Sequence, residues 1–273
     1  MAMLKDFERV RVEHHGTQDA PFAVLVLNHP EVMNAVSPEM LSGLRGAMDH
    51  IENPAHGFRC VVMTGEGRGF CTGANLSGGA GAMQDSGGRD AGLALEVAYH
   101  PIFRRLRNLK MPLITAVNGP AAGVGMSFAM MGDMILAARS AFFLQAFRRI
   151  GLVPDGGSTW LLPRLVGLAR AKELSLMGER LPAETALQWG LVNRVYDDAA
   201  LMGEALKLAS ELASGPTVAL GLIRQLYAQS PDNSYEEQIN AERWAQFHAG
   251  RASDFAEGVA AFLQKRPAKF TGK

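Results

Sequence analysis

Cysteine is scarce: Cys60 and Cys71 are the 2 in 273 residues. That excludes a disulfide framework, their separation is not the C-x-x-C of a metal or redox site, and the pattern fits a reducing compartment. An excess of one charge sign is missing too, since 27 Lys+Arg meet 27 Asp+Glu. No net field draws in nucleic acid or an anionic membrane, so neither is expected as a partner. No apolar leader is seen: MAMLKDFERV turns charged within its first residues, which predicts a cytoplasmic location without secretory targeting. The 7 histidines include His14-His15 in a strand pattern and His248 near a helix end. None sits in H-E-x-x-H or a comparable ligand spacing, so no metal is expected. The glycine clusters complete neither G-x-G-x-x-G nor G-x-x-x-x-G-K, which removes dinucleotide and P-loop readings. One apolar run, MPLITAVNGPAAGVGMSFAMMG over 111–132, is charge-free and long enough to span a membrane. Asn118-Gly119-Pro120 breaks it in the middle, so it reads as a buried strand followed by a buried helix.

Hydrophobic residues make up 48% of the chain, enough for one large domain or two smaller ones around a sizeable core. VRVEHH (10–15) and FAVLVLN (22–28) are β-branched or alternating runs separated by GTQDAP, a hairpin signature. SPEMLSGLRGAMDHIE follows with Ser37 as expected N-cap, Pro38 at the first helical position and apolar residues at helical spacing. CVVMTG (60–65) and LITAVNG (113–119) are short buried strands, and GMSFAMMGDMILAA runs from helix into strand. Strands alternating with helices argue for an α/β body with parallel pairing. After about Leu201 four helix patterns succeed one another, with caps expected at Ser234 and Ser253. Their apolar faces either complete the monomer or form a subunit interface. SGGAGAMQDSGGRD (77–90), the one low-complexity stretch, reads as a lid or as a plain surface connection.

Chemistry has few candidates. Cys71 lacks a histidine near it in sequence and reads better as a small buried thiol than as a nucleophile. Ser127, in GMSFA, misses the G-x-S-x-G elbow at its last residue. What remains is a pair of glycine-rich turns, GFCTGAN and AVNGPAAGVGM. Each ends a strand, and the second opens a helix whose first amides lack internal acceptors. Two such turns facing each other would hold an oxyanion.

At these residues the chain resembles the crotonase, or enoyl-CoA hydratase/isomerase, superfamily. The likeness extends over LNHPEVMNAVSPEM, GRGFCTGANL, AVNGPAAGVGMSFAMMGDMILAA, FRRIGLVPDGGSTWLLPRLVG, GLVNRVY and EGVAAFLQKRPAKFTGK. It implies a spiral of ββα repeats over residues 1–200, carrying acyl-CoA binding and catalysis. It further implies a helical region, 201–273, that oligomerises, as a homotrimer or dimer of trimers, and covers the site. The implied substrate is an acyl-CoA thioester, with no cofactor beyond the coenzyme A that the substrate carries. Two main-chain N–H groups, those of Ala74 and Val124, would polarise the thioester carbonyl. Met33, Ala35, Thr72, Asn75, Leu76, Gly123, Ser127 and Phe147 would line the substrate, and Lys269 and Phe270 in the tail would approach the coenzyme A phosphate.

The chain departs from the family's hydratases where they carry their two glutamates, for those places hold Ser127 and Phe147. Neither exchanges a proton at neutral pH. Asp155, in GLVPDGGSTW, stands where the family's isomerases, including the ring-opening phenylacetate-pathway branch, carry an aspartate. The resemblance therefore implies an enoyl-CoA isomerase with one carboxylate, its basicity raised by Phe147, Val153 and Trp160. The other readings are a hydratase with Asp85, Asp90 or Glu96 as second acid, a weakly catalytic acyl-CoA binder, and, for Asp155 itself, a turn cap.

Overall fold

Two sheets meeting at the ends of their strands organise the chain. The computed structural model describes residues 4–78, 83–85 and 88–273, so residues 79–82 and 86–87 of the 77–90 segment expected as a lid or surface connection lie outside the described residues. In the larger, 7-stranded sheet the spatial order is Leu4–Phe7, Val10–Gly16, Pro21–Leu27, Val61–Gly65, Leu113–Val117, Met134–Ala138 and Arg194–Tyr196. The first three strands form an antiparallel meander, and from Pro21–Leu27 onward the pairing is parallel. Strand Val61–Gly65 and strand Leu113–Val117 are buried at every position, as sheets covered on both faces require. The 111–132 run divides as its Asn-Gly-Pro break predicts, into Leu113–Val117, the short strand Ala121–Ala122 and helix Val124–Ala129.

The second sheet joins Arg180–Pro182, Phe142–Leu144 and Ala121–Ala122, and Cys71 extends it through a parallel bridge to Ala121. Successive strands thus step from the large sheet into the small one and then into a helix, the ββα spiral. Helix Pro38–Glu52 starts as expected: Ser37 Oγ accepts from Met40 N–H, with Pro38 in the first turn. It buries Met40, Leu44, Ala47 and Met48, the one-sided apolar stripe that drives a helix onto a sheet.

The C-terminal helices divide by burial. Leu201–Ala213 buries Leu201, Ala205, Leu208, Ala209 and Ala213 and packs on the large sheet. It is part of the core, and the outward apolar faces belong to the helices after it. Ser234 forms a full capping box with Glu237 on helix Tyr235–Ala249. Ser253, by contrast, is the first residue of helix Ser253–Leu263 rather than its cap, which is Ala252. Its hydroxyl donates instead to Lys273 O at 2.7 Å. The tail is clamped onto this helix, because Asp254 accepts from the N–H groups of Thr271 and Gly272.

Helix Thr217–Gln229 is fastened by one buried cation. Arg224 donates to the carbonyls of Leu106, Arg107 and Leu109 and to Asp133 at 2.6 Å. Removing one partner of such a buried network strands the others without water. Arg224→Met is expected to cost about 3–5 kcal/mol of folding stability. Urea unfolding checks this, and an unchanged midpoint would mean that apolar contacts alone hold the helix.

Candidate active site

The two glycine-rich turns are joined by main-chain hydrogen bonds. Cys71 N–H donates to Pro120 O at 3.0 Å and Ala122 N–H to Cys71 O at 2.9 Å. On its other side the first turn is held by Val36, whose N–H donates to Gly73 O while its carbonyl accepts from Asn75 N–H, both at 2.8 Å. This pairing passes over Ala74. Among the described residues, the N–H groups of Ala74 and of Val124, the first residue of helix Val124–Ala129, have no acceptor. Gly73 and Gly123 put the turns in van der Waals contact, since a Cβ built on Gly123 would stand 3.8 Å from Gly73 Cα and 3.8 Å from Phe147 Cζ. Gly123 has φ 53° and ψ −128°, a backbone state closed to side-chain-bearing residues.

Two asparagines shape the first turn: Asn118, expected only as part of a strand-to-turn break, and Asn34, for which no role was expected. Asn34 is fully buried; it accepts from His29 N–H and donates to Glu66 O and Gly69 O at 2.9 and 2.7 Å. Asn118 donates to Gly65 O and Gly67 O, both at 2.9 Å, and accepts from Gly65 N–H. Together they occupy the carbonyls of a loop with no regular ladder of its own, as buried backbone demands. Their sequence signal was an Asn in each of two turn-like strings, MNAV and VNGP.

Asp155 lies on the turn leading into helix Ser158–Val166. Its main-chain carbonyl, not its carboxylate, does the capping, accepting from Ser158 N–H at 3.0 Å and from Ser127 Oγ at 3.0 Å. Ser127 is fully buried and also shares a 2.7 Å hydrogen bond with Ser158 Oγ, so its hydroxyl holds the Asp155 turn. Among the described residues, the carboxylate oxygen Oδ1 is buried with no hydrogen-bond partner. Burial pushes the Asp155 carboxyl up to about 7, because its charged form loses water and finds no compensating donor or cation among the described residues. Tyr99 is buried near it, and the Asp155 charge contributes, after burial, to raising its phenol. Gly156 packs beneath Phe103 and Ser127.

The three residues expected to give Asp155 an apolar setting lie in three different environments. Val153 is 78% exposed. Trp160 is sandwiched between the guanidinium groups of Arg107 and Arg164, in the wall of a cavity of about 760 Å³ that continues past Gly156 and Gly157 toward Arg104, Ile223 and Tyr227. Phe147 is buried against the Gly123 turn. Arg148 and Arg149 donate to Met177 O and Gly178 O, so they fasten the end of helix Leu168–Met177.

The remaining expected binding residues fall into two groups. Met33, Ala35, Thr72, Asn75 and Leu76 surround the first turn: Thr72 Oγ1 donates to Met33 O at 3.2 Å, and Leu76 is 57% exposed. Lys269 and Phe270 are held elsewhere, Lys269 N–H on Glu257 and Phe270 O on Arg59. Within one chain the tail is thus engaged with its own last helix. Of the alternative second acids, Asp90 caps a helix through Leu93 N–H, Glu96 is exposed, and the Asp85 side chain lies outside the described residues.

Burial raises the Cys71 thiol to about 12 and Cys60 likewise to about 12, the opposite of what a nucleophile needs. Neither should react with Ellman's reagent in the native protein at pH 8, and both should react after denaturation. Rapid native labelling of Cys71 would restore it as a chemical group of the site.

Similarity to known proteins agrees with this geometry. The pattern of the family described as enoyl-CoA hydratase/isomerase matches residues 17–273. The chain is 45% identical over 249 residues to the 1,2-epoxyphenylacetyl-CoA isomerase of Escherichia coli (strain K12), covering 91% of this chain and 94% of that one. It is 35% identical to enoyl-CoA hydratase AFT3-1 of Alternaria alternata, over 94% of this chain and 86% of the relative. The crystal structure of enoyl-CoA hydratase from Bacillus anthracis superposes with a TM-score of 0.88 at 28% identity, covering 97% of this chain and all of that one. With crossing turns, spiral of sheets and matched length in hand, the chain belongs to the enoyl-CoA hydratase/isomerase family and is an enzyme of the crotonase fold.

Proposed function

We propose that this enzyme shifts the double bond of an enoyl-CoA thioester, with the N–H groups of Ala74 and Val124 as oxyanion hole and Asp155 as the single acid–base. The observation that carries this is the Asp155 carboxylate, buried, unpartnered at Oδ1 and raised to about 7, on a turn held by the same helix that presents Val124. Removal of the C2 proton from a 3-enoyl thioester breaks a C–H bond and moves its electron pair into a dienolate whose charge rests largely on the thioester oxygen. Two preorganised amides on that oxygen are worth roughly 3–4 kcal/mol each in the transition state. Asp155, now protonated, returns the proton at C4, and the double bond ends in conjugation with the carbonyl. A base near neutrality is suited to both steps, since it accepts and releases the proton with little bias. The 45% identity to a 1,2-epoxyphenylacetyl-CoA isomerase supports an aromatic-derived acyl group. Ser127 and Phe147 in the hydratases' glutamate places favour isomerisation over hydration. No cofactor is required by these steps.

The assembly we propose is a homotrimer, or a dimer of trimers, formed through the region 201–273 on the helices after Ala213. Trp244, Phe255, Phe262 and Leu263 are 54, 58, 83 and 74% exposed, more apolar surface than a monomer keeps in contact with water. Among the described residues no helix is long and apolar enough to cross a membrane, and we place the enzyme in the cytoplasm. Sedimentation should give three or six times 29.4 kDa; a monomer would refute the assembly.

Asp155→Asn should lower kcat for a 3-enoyl-CoA by about 10²–10⁴-fold while thioester binding persists. Full activity in this variant, or hydration of crotonyl-CoA by the wild type faster than isomerisation, would overturn the assignment. The base must be ionised to act, so kcat/KM should rise with pH up to about 7 and then level. Stability runs the other way. With its folded-state value above that of the unfolded chain, the neutral carboxyl favours the native state at low pH, and this is lost as pH rises from about 4 to 7. Asp155→Asn should therefore melt above the wild type at pH 8, with little difference at pH 4. Gly123→Ala, which strains the turn presenting Val124, should reduce kcat about 10–100-fold, since one oxyanion donor is worth 10²–10³, with KM less affected.

A further inference from the structure

Away from the acyl-CoA site, three histidines from separate segments converge. His14 lies on strand Val10–Gly16, His50 in the last turn of helix Pro38–Glu52, and His56 in the turn Pro54–His56 that follows. One ring nitrogen from each lies within 4.8 Å of the other two, and all three residues are half-buried. His14 Nε2 and His50 Nε2 are 2.8 Å apart, and the His50 and His56 rings are 3.9 Å centroid to centroid. Phe58 packs edge-on against His14 at 4.6 Å and Phe7 against His50 at 6.0 Å, walling the cluster on its apolar sides.

We propose that His14, His50 and His56 form a site for one divalent transition-metal cation of the zinc, nickel and copper class. Imidazole nitrogen is a preferred donor for these ions, and three protein ligands with a fourth position left to water is a common zinc arrangement. Metal–nitrogen bonds of about 2.0–2.1 Å with tetrahedral angles put donor nitrogens about 3.3 Å apart. The cluster spans that spacing, with one pair slightly closer and the others within 4.8 Å, so small χ rotations suffice. The 2.8 Å contact has two chemical solutions: one ring donates a proton to the other, or both present lone pairs to a shared cation. Lys5, the lysine whose positive charge acts on His50, is exposed to solvent, which screens its repulsion of a bound cation.

Position sets what the ion would do. The helix that carries His50 in its last turn begins just after Val36, the partner of Ala74, and His50 lies about 18 Å of helical rise beyond its first residue, Pro38. A cation here ties the far end of that helix, and the turn after it, to the antiparallel strand. It is a clamp on the fold and takes no part in the thioester chemistry.

The test uses untagged, chelator-treated full-length protein titrated with Co²⁺ and then Zn²⁺. Saturable uptake of one ion per chain, a Co²⁺ visible spectrum displaced by Zn²⁺, and a raised melting temperature are expected. His56→Asn should weaken binding at least about tenfold, as even loss of a ligand's supporting contact does, while the exposed His248→Asn leaves it unchanged. Turnover of an enoyl-CoA by His56→Asn should match the metal-free wild type, which also shows that the variant folds. X-ray absorption of the wild-type zinc complex provides a reading independent of mutation: three imidazole nitrogens at about 2.0–2.1 Å. Absence of saturable binding, equal affinity in His56→Asn, or a spectrum with fewer than three imidazoles would overturn the proposal.

Discussion

The structure of the site depends on a short piece of parallel main-chain pairing, Cys71 to Pro120 and Ala122. These bonds tie the end of one ββα unit to the end of the next. Because each turn is satisfied on both flanks, Ala74 and Val124 are left as donors with no acceptor of their own. Small residues are needed where the turns touch, and the run of glycines is explained by contact rather than flexibility. A Cβ on Gly125 would stand 2.0 Å from Cys71 O, so any side chain there would push the two units apart.

The second constraint is electrostatic and works against stability. Asp155 is held with Oδ1 out of water and without a donor, an arrangement that folding alone disfavours. The surrounding structure over-determines it: the Asp155 carbonyl is bonded by Ser127 and Ser158, and Gly156 is wedged against Phe103. Ser127 thereby serves as a support for the neighbouring turn.

Aromatic and basic residues near the site are largely engaged by the scaffold. Arg148 and Arg149 close a helix end, Arg107 and Arg164 flank Trp160, and Arg224 fastens the Thr217–Gln229 helix. The guanidinium groups thus act mainly as donors to orphan carbonyls at helix and loop ends, where their planar fork of N–H groups fits.

Much of this was legible before any fold was seen. Alternating and β-branched runs marked the strands, Ser37-Pro38 marked a helix start, and Asn-Gly-Pro divided the one membrane-length run, because these signals are local. The ordered motifs, and Asp155 within GLVPDGG, pointed to the family. The bonding of Asn34 and Asn118 was not legible, since what they bond, the carbonyls of residues 65–69, is set by the path of a loop. The apolar shell of Asp155 was expected from Phe147, Val153 and Trp160, yet Val153 is exposed, and Phe103 packs on the adjoining Gly156 from a helix distant in sequence. Search by ligand spacing missed the His14, His50 and His56 cluster because its members lie on three different elements. The amino-acid order by itself determined which segments become strands, helices and turns, through periodicity, caps and breakers acting over a few residues. Only the tertiary structure decided which amides stay unpaired, which carboxylate loses water and which histidines meet, because each depends on groups distant in the chain competing for the same space.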